Sequence, residues 1–327
     1  MLQRKRIQKY KEEMKMKKTT KFLLGGALVI LFLTPVSQVK ADWHQDNVGW
    51  WYSLNDGSYY KNKEVKINEK WYKFDNRGYM VTGWQYNSYN NGEFQGWYYY
   101  DPVNGDEKSD WQLIDGKWYY LSDFGAARGG QNIDGKFYYF DPVNCDMKTG
   151  WVLRGDATDQ SWYYYDPVSG EQVRDWRNID GKWYYFKNSA IQGSYKIDGK
   201  FYYFDPVNCD MKTGWVSIED SNGNSSWYYY DPESGERLSG WQTIDGKTYC
   251  FDQFGKAYAG WYQLLDGKMY YFDPVNCDLK TGWLDLNGSR YYADPNDGGA
   301  FAKNKTLIID GVSYTFDIGG SVINNEP

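Results

Sequence analysis

The sequence predicts an all-β protein, a solenoid of β-hairpin repeats, on three observations. The phrase Ile-Asp-Gly-Lys followed by an aromatic run recurs along the chain, and a tryptophan stands upstream of most copies. The composition is the third: 34 Tyr and 17 Trp in 327 residues, with little Leu, Ile or Val. A compact core is not built from such residues, but a stack of units, each burying its rings only against its neighbours, can be.

The reference phrase is Ile179-Asp-Gly-Lys-Trp-Tyr-Tyr-Phe186. It returns from Ile114, Ile133, Ile197, Ile244 and Leu265. Asp-Gly between aromatic and β-branched residues marks a tight hairpin turn, because both central residues of a type I′ turn need positive φ. Each phrase is therefore a turn plus a second strand. Trp84, Trp111, Trp151, Trp176, Trp215, Trp241, Trp261 and Trp283 open the first strands. Successive second strands, from Trp97 to Ser313, follow at steps of 18 to 26 residues. A longer period lies on top, since Phe137 to Trp151 recurs 64 residues on as Phe201 to Trp215, and nearly so from Met269 to Trp283. Three hairpins make one long repeat, which implies about three hairpins per solenoid turn.

In chain order, residues 1–41 read as a signal peptide: Lys15, Lys17, Lys18 and Lys21, an apolar run from Phe22 to Leu33, then Val39-Lys-Ala41. The run is shorter than the roughly 20 residues of a membrane span. This segment holds ten Lys/Arg and two Glu, so the remainder carries a net charge of −14 rather than −6. That balance argues against nucleic acid and anionic lipid and favours a cationic partner. Residues 42–83 are degenerate N-terminal repeats, 84–304 the regular solenoid, and 305–327 a capping hairpin that has lost its tryptophans. In short hairpins the second tryptophan follows the first by seven positions, as Trp111 to Trp118; long ones insert four to six more, as Trp151 to Trp162. The inserted segments, such as Arg154 to Gln160, are polar and are expected to project from the surface.

Catalysis finds little support. There is one histidine, His44, and the carboxylates sit in Asp-Gly and Asp-Pro turns, where short polar side chains bond their own backbone. Asp205 and Asp210 are a candidate Ca²⁺ pair, with turn formation as the competing reading. Cys145, Cys209 and Cys277 occupy one place in three equivalent turns, where sister copies have Gly105, Gly170 and Gly235. Turns three hairpins apart lie beyond the ~7 Å Cα separation that a disulfide bridges, so free thiols are expected. Cys250 replaces a strand tyrosine and is expected to be packed. Without Cys-x-x-Cys pairs, neither a metal site nor a cofactor is expected.

The aromatic surface carries the functional signal. Strand residues alternate in direction, so Trp183 and Tyr185 face one way, and Tyr184 and Phe186 the other. All of these rings as core is the plain reading for any single one. A core would accept Leu or Val, however, whereas this chain keeps two tryptophans per unit, and indole faces hold quaternary ammonium groups.

Gly-Trp, a turn and Trp-Tyr-Tyr, at steps of about 20 residues over roughly residues 84–316, resemble the choline-binding repeats of Gram-positive surface proteins; glucan-binding modules look similar. The resemblance implies a left-handed superhelix, with each choline held by two tryptophans of one hairpin and a tyrosine of the next. Carried onto this sequence, it implies sites at Trp84, Trp97 and Tyr119; Trp111, Trp118 and Tyr138; Trp151, Trp162 and Tyr184; Trp176, Trp183 and Tyr202; and Trp215, Trp227 and Tyr249. The long hairpins depart from the family's spacing. Trp261 pairs with Met269, a soft apolar wall; Trp241 pairs with Thr248 and loses a wall; Trp283 pairs with Arg290, whose cation repels choline and leaves that site empty.

The expected function is a non-catalytic protein held non-covalently at the cell wall surface after secretion, with phosphocholine on teichoic acids as its partner. It modulates choline-dependent wall hydrolases by competition; the alternatives are an adhesin for host molecules and a glucan-binding protein. On the cysteine reading, titration of denatured, unreduced protein finds all four thiols of the sequence, and a smaller number overturns it.

Overall fold

The computed structural model describes residues 40–89 and 94–326. The expected leader lies outside them but for its last two residues. Among the described residues the strands form thirteen small antiparallel sheets, the only helix is the single 3₁₀ turn Pro295–Asp297, and no helix is long and apolar enough to cross a membrane. The all-β hairpin architecture is as the sequence predicts.

The chain divides into two compact units, Met1–Val173 and Arg174–Pro327. In the first unit, hairpin 1 is Asp42–Gln45 with Trp50–Ser53, hairpin 2 Lys63–Ile67 with Lys70–Phe74, and hairpin 3 Gly83–Tyr89 with Phe94–Tyr100. Hairpin 4 is Asp110–Ile114 with Lys117–Ser122, hairpin 5 Gly129–Ile133 with Lys136–Phe140, and hairpin 6 Gly150–Arg154 with Ser161–Tyr165. In the second unit, hairpin 7 is Asp175–Ile179 with Lys182–Phe186, hairpin 8 Gly193–Ile197 with Lys200–Phe204, and hairpin 9 Gly214–Glu219 with Ser225–Tyr230. Hairpin 10 is Gly240–Ile244 with Lys247–Phe251, hairpin 11 Gly260–Gln263 with Met269–Phe272, hairpin 12 Gly282–Leu286 with Ser289–Asp294, and hairpin 13 Lys305–Ile309 with Val312–Phe316.

The Asp-Gly turns close as their chemistry requires: Asp115 and Gly116 have φ of 49° and 80°, both in the left-handed region where an ordinary side chain is strained. Strand alternation then sorts the rings. In hairpin 7, Trp183 is 47% exposed, while Tyr184 and Phe186 are buried. The last aromatic position is the core of every unit: Phe74, Tyr100, Phe140 and Tyr165 in the first, and Phe186, Phe204, Tyr230, Phe272 and Phe316 in the second, are all fully buried. Each such ring contributes about 2–3 kcal/mol on leaving water.

Three kinds of contact recur between successive hairpins within each unit. The first is a backbone bond from the following linker to the first aromatic position of the second strand. The N–H groups of Met80, Glu107, Met147 and Gln172 donate to the carbonyls of Trp50, Trp71, Trp118 and Phe137 at 2.6–2.9 Å. In the second unit Arg237, Ala257 and Leu279 do the same to Phe201, Trp227 and Thr248 at 2.8–2.9 Å. The second contact explains the lysine of Asp-Gly-Lys, which reaches an acid of the next linker. The pairs are Lys70–Asp106, Lys117–Asp146 and Lys136–Glu171, then Lys182–Asp210, Lys200–Glu236, Lys247–Asp278 and Lys268–Asp297. These lysines are about half exposed, so each pair contributes ~1 kcal/mol at most.

The third contact is linker on linker, and it accounts for the cysteines. A Cβ added to Gly105, Gly170 or Gly235 would sit 2.1–2.4 Å from the sulfur of Met80, Met147 or Met211 in the preceding linker. Where the preceding linker carries Ala126 or Ala257 instead, the following turn has Cys145 or Cys277 in the same buried cluster. Large precedes Gly, and small precedes Cys. The three turn cysteines keep φ near 62–63° because they fill volume in a turn shaped for glycine. All four cysteines are free and buried, and burial pushes the Cys250 thiol up to about 11. Ala257→Met alone should therefore overpack the turn and cost about 1–3 kcal/mol, and adding Cys277→Gly should restore at least half of that in urea denaturation; additive losses would refute the volume pairing.

Candidate functional site: aromatic boxes between hairpins

Each box follows from register. In hairpin 4, Trp111 lies opposite Tyr120 and Leu113 opposite Trp118, so the two indoles are diagonal neighbours on one face. Their centroids are 6.4 Å apart at 79°, and Tyr138 of hairpin 5 stands 4.8 Å from Trp111. Hairpin 7 repeats the arrangement, with Trp176 and Trp183 at 6.4 Å and 82° and Tyr202 of hairpin 8 at 4.9 Å. Hairpin 9 repeats it again, with Trp215 and Trp227 at 6.4 Å and 84° and Tyr249 at 4.8 Å. In hairpin 3, Tyr119 lies 4.8 Å from Trp84, and Trp97 packs 5.3 Å from Tyr86.

The long hairpins keep this geometry because their insertions lie beyond the box. Trp151 faces Tyr164 and Leu153 faces Trp162, the same diagonal as in hairpin 4, with 6.2 Å and 88° between the indoles. Tyr184, expected as the third ring of that box, belongs to the second unit.

Perpendicular indoles present a face and an edge to the space between them, an arrangement suited to a cation. The second tryptophan is the open wall, as the 41% exposure of Trp227 shows. The tyrosine is the closed one: burial raises the phenol pKa of Tyr119, Tyr202 and Tyr249, so these rings remain neutral. Sequence reasoning missed a further wall. Met147 packs against the buried cluster of Tyr138 and Phe140 that Trp111 also covers, and Met211 against that of Tyr202 and Phe204 that Trp176 covers. The signal was present, since both follow Asp at the same place 64 residues apart.

Other units differ. Trp241 meets Tyr270 at 5.2 Å with Thr248 in the second-tryptophan position. Trp261 meets Tyr291 at 5.0 Å and Phe301 at 4.5 Å, with Met269 in that position. In hairpin 12 the Arg290 guanidinium lies 4.5 Å over Trp283.

At hairpins 2, 5 and 8 the chain fills the interface itself. Glu64, Gly130 and Ser194 hold the register position that Trp111 holds in hairpin 4. The Arg154 guanidinium lies 4.8 Å from the Tyr139 ring and 4.4 Å from the Tyr163 ring, and Nη1 donates to the Tyr165 hydroxyl at 2.8 Å. Arg237 lies 4.1 Å over Phe201. These are the chain's own cations in aromatic sites. Arg154 therefore corrects one expectation: it opens the inserted segment but turns back into the stack, and only the residues after it project.

The aspartates behave as turn formers. Asp205 Oδ1 accepts from the N–H groups of Val207 and Asn208 at 2.9 Å, and Asp210 pairs with Lys182 and Lys212. Those backbone bonds and Lys212 hold Asp205 at about 2. Among the described residues no group of three or more His, Cys, Asp or Glu is placed to hold a metal ion.

With this geometry in view, the comparisons with known proteins are direct. The choline-binding repeat model matches residues 61–110, 127–175, 173–208, 191–239 and 238–281, and a cell wall binding repeat model matches 109–126. The chain belongs to the choline-binding repeat family. Choline binding protein F from Streptococcus pneumoniae, crystal form II, is 27% identical at a TM-score of 0.50, covering 87% of this chain and 99% of its own. The same protein crystallised in the presence of a peptidoglycan analogue is 28% identical over the same shares, also at 0.50. CbpJ from S. pneumoniae TIGR4 is 29% identical, covering 86% of this chain and 100% of its own, at 0.49. No curated protein sequence matches significantly.

One interface of this choline-binding repeat protein carries a titration. Burial, and Glu64 after it, push the Glu107 carboxyl from 4.5 up to about 7. A raised carboxyl pKa favours the folded state at low pH, and that contribution is lost as pH rises from 4.5 through about 7. Glu107→Gln should flatten the fall in urea midpoint over this window, and an unchanged profile would remove Glu107 as its cause.

Proposed function

We propose that the chain binds choline headgroups of cell-wall teichoic acids at the boxes of Trp84, Trp97 and Tyr119; Trp111, Trp118 and Tyr138; Trp176, Trp183 and Tyr202; and Trp215, Trp227 and Tyr249, and at the indole pair of Trp151 and Trp162. The Trp261 and Met269 unit is a weaker member, and Arg290 takes the cation's place over Trp283. The observation that carries this reading is the near-identity of the boxes, with indoles at 6.2–6.4 Å and close to perpendicular in hairpins 4, 6, 7 and 9. A ring supplies ~1 kcal/mol to a partly exposed cation, so each site is weak. Several sites on one polymer raise avidity by about 10² to 10⁴, which supports non-covalent retention at the wall.

The protein acts without catalysis, by occupying choline that wall hydrolases need, and so restrains lysis. A second reading, adhesion, draws on the turn valines Val103, Val143, Val168, Val207 and Val275, each exposed at the same Asp-Pro-Val position, since exposed apolar side chains suit a protein partner. The two readings part on one experiment with a tertiary-amine resin and a lysis assay. Free choline should elute the protein where salt and dextran do not, and Trp118→Ala with Trp183→Ala should cut retention about tenfold along with the effect on lysis. Elution by salt alone would defeat choline recognition, and an effect on lysis that survives the double variant would defeat competition.

A further inference from the structure

The unit that lost its second tryptophan has gained a cavity. At hairpin 10, Thr248 stands in the register position that Trp227 holds in hairpin 9, and beside it opens a cavity of about 700 Å³. Its apolar walls are Trp241, Tyr270 and Leu279. The opposite side is the turn Pro295–Asp297 with Gly298 and Gly299, and Thr281 and Lys268 complete the lining. This turn takes the place of the Asp-Pro-Val-Asn-Cys-Asp turn used elsewhere.

The lining is unlike a choline box. Tyr270 is buried and fixed, its hydroxyl donating to Asp266 at 2.6 Å, so Trp241, 44% exposed, is the one open aromatic face. A single open ring surrounds a quaternary ammonium poorly. Around it stand hydrogen-bonding groups of both kinds: the Thr248 and Thr281 hydroxyls, the Asn296 amide, and Lys268 paired with Asp297 at 2.5 Å. The ion pair leaves the rim without net charge, and both its members are partly exposed. One flat apolar platform ringed by donors and acceptors complements a ring with an apolar face and hydroxyls at its edge.

We propose that this cavity binds a neutral pyranose unit of a polysaccharide, with the sugar's C–H face on Trp241 and its hydroxyls bonded to Lys268, Asp297 and the threonines. The volume lies within the range of about 300–1,000 Å³ usual for small-molecule sites, so one to two sugar rings fit. The site is separate from the intact boxes and does not depend on their ligand.

The test uses the whole protein under saturating choline, with isomaltotriose and N-acetylchitotriose as probes, read by calorimetry and tryptophan fluorescence. One of the two should bind saturably, and which one separates an α-glucan from an N-acetylglucosamine polymer. Trp241→Ala should weaken the sugar about tenfold or more, while choline retention, measured on the same sample, persists. Thr248→Trp should close the cavity, abolish sugar binding and add one choline site in equilibrium dialysis. Lys268→Met, which keeps the aliphatic stem, should also weaken the sugar. No binding of either probe, equal binding by Trp241→Ala, or displacement of the sugar by choline would overturn the proposal.

Discussion

A two-stranded hairpin cannot bury its own aromatic face, and this constraint orders the rest of the structure. Each hairpin offers a row of rings, and the next hairpin with its linker must cover them. The bond from the linker N–H to the carbonyl of Trp118 or its equivalents fixes the offset between neighbours, and the lysine–acid pair fixes the other end. The box is what this offset leaves over. Trp111 packs on Tyr138 of the next hairpin, while Trp118, whose carbonyl holds the linker, stays partly exposed. Aromatic box and stacking contact are thus one feature seen from two sides, and a unit that stacks correctly places its walls without further design.

The threefold period has a packing cause as well. Two boxes are followed by an interface where the first tryptophan is replaced by Glu64, Gly130 or Ser194. In the next hairpin the fully buried ring is then Tyr100, Tyr165 or Tyr230 where most other hairpins bury phenylalanine. At two of the three a polar partner has entered the vacated space, since Tyr100 donates to Glu64 at 3.0 Å and Arg154 donates to Tyr165 at 2.8 Å, whereas the Tyr230 hydroxyl is buried without a hydrogen bond among the described residues. The alternation of Met with Gly and Ala with Cys between linkers follows the same period. Replacing one member of such a set without the others leaves a void or a buried polar group, which is why the motif repeats in blocks of 64 residues rather than one hairpin at a time.

Local chemistry made much of this legible in the sequence. Asp-Gly turns, alternating aromatics and the tryptophan pairs declare hairpins and boxes, because their signals lie within a few residues of each other. The unreadable parts were those set by contacts between hairpins. Met147 reads as a turn residue until the fold carries it onto the Tyr138 and Phe140 cluster, and Arg154 reads as the start of a polar loop until its side chain is seen over Tyr139 and Tyr163. Glu107 looks like any surface acid, yet its N–H sits on the Trp71 carbonyl beside Glu64. The spacing of the long hairpins misled for the opposite reason: linear distance grew, but the ladder between Trp151 and Trp162 did not change.

Substitution within a box therefore has more than one outcome. Losing the first tryptophan opens space on the covered side, where the chain's own groups close it. Losing the second, as at Thr248, opens space on the solvent side, where no neighbouring hairpin is positioned to fill it and a cavity results. Arg290 shows a third route, since an arginine in the same position folds over Trp283 and supplies a cation from within. The second-tryptophan position can thus vary with little effect on stacking, because its backbone carbonyl, not its side chain, holds the next linker. A solenoid of this kind can diversify what it binds one unit at a time while its core remains unchanged.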